Sequence, residues 1–121
     1  MVTAVKGGVE GCFGNTGQSC DAPTRMFVHR SQHDQALVHA KAAADAVVIG
    51  DTQDEATTMG PLVSAQQRDR VQAYIDGGPA DGATLVYSGQ RPTDPALAGG
   101  YFVPPTIFEA TNGVRLAREE I

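Results

Sequence analysis

The stretch GCFGNTGQSCDAPTR, residues 11–25, sets a lone cysteine, Cys20, behind Gly14, Asn15, Gly17 and Gln18 and ahead of Pro23 and Arg25. Glycine and asparagine are turn residues, and turns rarely need a thiol. A thiol in one is either an inert accident of composition or a nucleophile held where a substrate can reach it. A catalytic cysteine needs an exposed sulfur, amides able to face a developing oxyanion and room for a second reactant. Gly14 and Gly17 permit close backbone approach, and a helix end leaves amide groups free. Upstream, Val2, Val5, Val9 and Phe13 fall at helical spacing, which predicts an opening helix leading into the turn. Gly7, Gly8 and Gly11 oppose that helix, each costing about 1 kcal/mol relative to alanine in a helix interior. Tertiary packing must therefore hold it.

Downstream of the motif, residues 24–29 (TRMFVH) read as a short strand. Ser31 is placed as an N-cap with Asp34 three residues on, a variant of the capping box. Ala36, Leu37, Ala40, Ala43, Ala44 and Val47 then make one apolar stripe. Residues 47–49 read as a brief strand, and Gly50 opens a polar loop ending in Met59-Gly60-Pro61. Ser64 with Gln67 is a second capping box, Val71, Tyr74 and Ile75 supply the helix's apolar face, and Gly77-Gly78-Pro79 stops it. Residues 83–87 (ATLVY) read as a strand, 88–100 as a long loop, and 101–108 (YFVPPTIF) as extended chain. Pro104 and Pro105 cannot donate to a ladder, which puts that segment at an edge or outside a regular sheet. Strands alternating with helices point to α/β architecture. The first helix has no strand before it, and Arg118-Glu119-Glu120-Ile121 carries no terminating signal. The pattern is that of a middle cut from something longer, incomplete at both ends.

Composition narrows the function classes. The 121 residues suffice for a single segment with a modest core. A hydrophobic content of 41% with 19% charged residues is ordinary for a folded chain. Nine Lys and Arg against 14 Asp and Glu leave a net charge of −5, which argues against nucleic acid or an anionic membrane as partner. The longest apolar run, residues 42–49, contains Asp45 and is too short to span a bilayer. The N-terminus lacks the basic region and apolar core of a secretory signal, and a cytoplasmic address follows. Cys12 and Cys20 lie outside any CxxC spacing. His29, His33 and His39 are joined by no cysteine or carboxylate cluster, so no metal site is expected.

Phe13-Gly14-Asn15-Thr16-Gly17-Gln18-Ser19-Cys20, followed by Ala22 and Arg25, closely resembles the catalytic-cysteine signature of the aldehyde dehydrogenase superfamily. The resemblance continues in order through Gly50-Asp51, Met59-Gly60-Pro61-Leu62-Val63, Gly82-Ala83 with Leu85-Val86, Gly100-Tyr101-Phe102-Val103, Pro105-Thr106-Ile107-Phe108 and Arg118-Glu119-Glu120-Ile121. It covers essentially the whole chain. It implies part of a catalytic domain with a doubly wound, mainly parallel sheet and flanking helices, and an NAD(P)-dependent oxidation of an aldehyde to a carboxylic acid. Carried over by position, Cys20 is the nucleophile, passing through a thiohemiacetal and a thioester that water hydrolyses. Glu120 matches the glutamate that hydrogen-bonds the nicotinamide ribose, and Gln67 a position near the same ribose. Ser19 and Asp21 flank the cysteine where the family lines its substrate pocket.

Asp21 departs from the family pattern, which places a small or apolar residue there. A carboxylate beside the sulfur disfavours the thiolate if it points that way, or favours a cationic or hydroxylated substrate. The family's glutamate base, its oxyanion-hole amide and its cofactor-binding domain all precede the stretch matched here; no strand–GxGxxG–helix unit occurs. The resemblance therefore implies one piece of a longer, homo-oligomeric enzyme. The rival reading is a non-enzymatic α/β remnant that serves as a binding or assembly module. A weaker one is a thiol-redox protein using Cys20.

Overall fold

A computed structural model describes every residue from Met1 to Ile121. The chain divides into two compact units, Met1–Gly60 and Pro61–Ile121.

In the first unit, helix α1 (Val2–Phe13) packs along helix α2 (His33–Asp45). Val5 and Val9 are the buried residues of α1, one turn apart, as its periodicity requires. Ala36, Ala40 and Ala44 are the buried residues of α2, a row of small side chains that lets the two helices approach closely. The glycines of α1 find their reason here. A Cβ at Gly8 would stand 2.5 Å from Met26 Cε, and one at Gly11 would stand 3.5 Å from Pro23 Cγ. The chain returning after Cys20 thus lies against the glycine face of the helix.

Three local expectations change in this unit. Residues 24–29 form no strand. They run beside α1, where no sheet edge pairs them, and Phe27 projects into solvent. The strand expected at residues 47–49 reduces to a single parallel bridge between Ile49 and Met59. It is reinforced where the Val48 carbonyl accepts from the Thr58 and Met59 N–H groups. Ser31 does not cap α2. It sits in a 3₁₀ turn, Arg30–Gln32, whose cap is His29, with the imidazole accepting from the Ser31 N–H. The 3₁₀ turn carries the chain into α2, so the helix starts at His33.

In the second unit, helix α3 (Ala65–Gly77) opens at Ser64, whose hydroxyl oxygen accepts from the Gln67 N–H at 3.2 Å. It ends at Gly78, where no side chain fits: a Cβ would meet Leu116 Cδ1 at 2.8 Å and the Phe108 ring at 3.0 Å. Strands β1 (Thr84–Ser88) and β2 (Thr106–Glu109) pair antiparallel, with Leu85 opposite Phe108, Tyr87 opposite Ile107 and an irregularity between Leu85 and Tyr87. The β2 ladder begins only after Pro104 and Pro105, as the missing N–H groups demand. Helix α4 (Arg115–Arg118) is a single turn. Leu62, Tyr74, Ala83, Phe102, Val103 and Val114 are the buried apolar residues of this unit. The chain is α/β as expected, with one small sheet. Its only ladder is antiparallel, so parallel pairing within these residues is confined to the Ile49–Met59 bridge.

Candidate active site

Between α1 and Cys20 the backbone turns left-handed over three consecutive residues. Asn15 has φ 49°, Thr16 φ 58° and Gly17 φ 71°. Asparagine and glycine accept this region readily, whereas a β-branched threonine there is a true outlier that its surroundings must enforce. They do so with hydrogen bonds. The Thr16 hydroxyl donates to the Gly60 carbonyl at 3.0 Å. The Asn15 carbonyl accepts from both the Gln18 N–H and the Gln18 side-chain amide, each at 3.1 Å.

The chain then enters a tight turn closed by the Ala22 N–H donating to the Ser19 carbonyl at 3.0 Å. Cys20 and Asp21 are the two central residues of that turn. Ser19, Cys20 and Asp21 are all exposed, so the structure gathers the three on one surface turn. Cys12 differs: it is half-buried in the last turn of α1, and burial pushes its thiol pKa up. Of the two thiols, the motif cysteine is the accessible one.

The residues expected to meet the cofactor lie in the second unit. Gln67 is half-buried in the first turn of α3. Glu120 is exposed, and its main-chain carbonyl accepts from Arg70 Nη2 at 2.8 Å, which ties it to the N-terminal half of α3. A carboxylate and a primary amide suit a ribose diol: one accepts from hydroxyls, and the other both accepts and donates. The donor set therefore fits a nicotinamide ribose. No group of three or more His, Cys, Asp or Glu is arranged to hold a metal ion.

Beside Glu120 stands a cluster that the sequence reading did not single out. The Tyr74 hydroxyl donates to Glu119 Oε2 at 2.5 Å. Arg115 Nε lies 3.4 Å from Glu119 Oε1, and its guanidinium sits over the Tyr74 ring at 4.4 Å. The Tyr74 hydrogen bond, aided by the Arg115 charge, holds the Glu119 carboxyl below its ordinary pKa. The partners are far apart in the chain, so no local spacing signals them. The only hint is Tyr74 on a helix face whose other members, Val71 and Ile75, lack a polar tip.

The family profile of the aldehyde dehydrogenases matches residues 1–121, the entire chain. The chain belongs to the aldehyde dehydrogenase family. Among curated relatives, betaine aldehyde dehydrogenase 1 of Rhizobium meliloti (strain 1021) is 44% identical over 121 residues, covering all of this chain and 25% of that protein. A betaine aldehyde dehydrogenase of Rhizobium etli (strain CIAT 652) is 46% identical over 98% of this chain and 24% of its own length. Among solved structures, a cysteine-to-alanine mutant of aldehyde dehydrogenase C from Pseudomonas syringae, complexed with NAD+ and octanal, superposes with a TM-score of 0.89 at 40% identity. It covers 98% of this chain and 24% of that one. A betaine aldehyde dehydrogenase of Staphylococcus aureus, in complex with NAD+ and carrying a BME-modified cysteine, gives 0.89 at 30% identity, covering 97% and 24%. The chain thus spans about a quarter of the length of the aldehyde dehydrogenases it matches, and its fold is that of part of such an enzyme. No helix is long and apolar enough to cross a membrane.

Proposed function

We propose that this chain supplies the nucleophile of an NAD(P)-dependent oxidation of an aldehyde to a carboxylic acid, working as part of a longer enzyme. The observation that carries the reading is Cys20 itself. An exposed thiol is held at the centre of a tight turn behind a strained left-handed bend, and such strain clusters at functional sites. Two of the structural relatives draw attention to a cysteine as well, one carrying a cysteine-to-alanine mutation and the other a BME-modified cysteine.

In this reading Cys20 Sγ, as thiolate, attacks the aldehyde carbon. The closing bond of the Ser19–Ala22 turn uses the Ala22 N–H, so the Cys20 amide stands outside it and can donate to the developing oxyanion. The same sulfur then carries the acyl group until water releases it as carboxylate. Ser19 and Asp21 line the approach to the sulfur. Nicotinamide, when bound, supplies the hydride acceptor; Glu120 and Gln67 hold its ribose hydroxyls. With relatives named for betaine aldehyde, the Asp21 carboxylate beside the sulfur favours a cationic aldehyde. The full enzyme would act on a small-molecule aldehyde in the cytoplasm as a homo-oligomer, and the chain's net charge of −5 speaks against a nucleic-acid partner.

The test uses the complete enzyme with betaine aldehyde and NAD+. Cys20→Ala should abolish NADH formation, and in acid-quenched parent enzyme the acyl mass should be localised to Cys20 by fragment-ion sequencing of the tryptic peptide 7–25, which holds both cysteines. Full turnover in Cys20→Ala, or an acyl group found on Cys12 instead, refutes the assignment.

A further inference from the structure

Glu119 and Glu120 are adjacent in the chain, and both are tethered to one stripe of α3. Gln67, Arg70 and Tyr74 follow one another at helical spacing, i, i+3 and i+7, so they share a face. Arg70 Nη2 grips the Glu120 carbonyl at 2.8 Å, and the Tyr74 hydroxyl grips the Glu119 carboxylate at 2.5 Å. Arg115 closes the arrangement from α4. It pairs with Glu119 Oε1 at 3.4 Å and covers the Tyr74 ring at 4.4 Å, while the Arg70 guanidinium lies 5.9 Å from the same ring. Tyr74 is the buried residue of α3, so the clamp is anchored in the core of its unit.

An exposed segment held by main-chain contacts alone would leave a carboxylate free to sample many orientations, and ordering it on binding would weaken affinity. Here the carbonyl of Glu120 and the side chain of the residue before it are both fixed. We propose that Arg70, Tyr74 and Arg115 are positioning residues: by pinning the Glu119 side chain and the Glu120 carbonyl they fix the extended backbone from which the Glu120 carboxylate projects, and so hold that carboxylate ready for the ribose hydroxyls of the nicotinamide cofactor. The proposal rests on the assignment of Glu120 and Gln67 to the cofactor made above.

The test measures NAD+ binding to the complete enzyme by titration, together with amide hydrogen exchange at Glu119 and Glu120 without cofactor. Tyr74→Phe keeps the ring under Arg115 and removes only the hydroxyl. It should speed exchange at both amides and weaken NAD+ binding about five- to tenfold, less than the full worth of one hydrogen bond to a charged group because the loss reaches the cofactor only through Glu120. KM for NAD+ should rise in parallel while kcat at saturating NAD+ stays within about twofold, the signature of lost binding alone. Glu119→Gln, which still accepts from Tyr74, should lose less. Arg70→Ala repeats the test from an exposed position that the core does not need. The double variant Tyr74→Phe/Glu120→Gln should bind no more weakly than Glu120→Gln alone, because Tyr74 acts through Glu120. A Tyr74→Phe penalty that persists undiminished in the Glu120→Gln background overturns the proposal, as does faster exchange with unchanged NAD+ affinity. Parental NAD+ affinity in Glu120→Gln removes the cofactor assignment itself, a different result from either.

Discussion

Alanine placed at Gly7 and at Gly17 adds the same methyl group and should give opposite outcomes. Gly7 lies inside α1 with nothing within 4 Å of where a Cβ would stand. Alanine there costs no packing and removes the glycine penalty, a gain of about 1 kcal/mol. Gly17 stands at φ 71°, and a Cβ would meet the Cys12 carbonyl oxygen at 3.4 Å. Left-handed backbone costs an L-residue about 1–2 kcal/mol. The two variants should therefore differ by roughly 2–3 kcal/mol, the sum of the two effects.

That difference is large against the stability available. The first unit buries two valines, a row of alanines and Met59, whereas Phe27 is 76% exposed and Val38 63%. Even a complete domain has only about 5–15 kcal/mol to lose. Urea unfolding of the chain, followed by far-ultraviolet circular dichroism, is the assay. With urea slopes of about 1–3 kcal/mol per molar, the midpoints of the two variants should separate by on the order of 1 M. Gly7→Ala should lie above the parent and Gly17→Ala below it. Gly17→Asn should fall between the parent and Gly17→Ala, because asparagine tolerates left-handed backbone. A Gly17→Ala midpoint at or above the parent's would refute the left-handed bend, and with it the strain argument for the turn that presents Cys20.

Thiol labelling of the native chain with iodoacetamide at pH 7 should modify Cys20 at least about tenfold faster than Cys12, which is half-buried with its pKa raised. Fragment-ion sequencing of the tryptic peptide 7–25, which holds both cysteines, reads the ratio, and equal rates would contradict the site. The 121-residue chain by itself should produce no steady NADH from a panel of aldehydes, since general-base catalysis alone contributes about 10²–10⁴-fold. Sustained NADH absorbance from the purified chain would show that Asp21 or Glu119 serves as base. Glu119 has its folded pKa depressed, so its stabilising effect is complete above the ordinary carboxylate value of about 4.3 and is lost as pH falls through the folded value. The urea midpoint of the parent should therefore drop more steeply below pH 4.3 than that of Glu119→Gln. Parallel curves would show that the Tyr74–Glu119 bond contributes nothing.

What was legible in the sequence was local. The valine spacing of α1 and the Ser64 cap each follow from residues a few positions apart, and the structure reproduces them. Residues 24–29 misled because a strand is defined by a partner, and no local pattern says whether one is present. The Tyr74–Glu119 contact was invisible for the same reason, joining residues 45 apart. The site lies between these extremes. Asn15 and Gly17 announce a bend, but Thr16 argues against a left-handed one, and only its long-range bond to Gly60 reconciles the two. The glycines of α1 were readable as a cost and not as a purpose. Gly8 and Gly11 admit Met26 and Pro23 against the helix, and Gly17 admits the backbone close to the Cys12 carbonyl. The turn bearing Cys20 is thus held against α1 on both sides of the sulfur. A helix weakened by glycine is what allows the chain to leave α1, expose one thiol and return within so few residues.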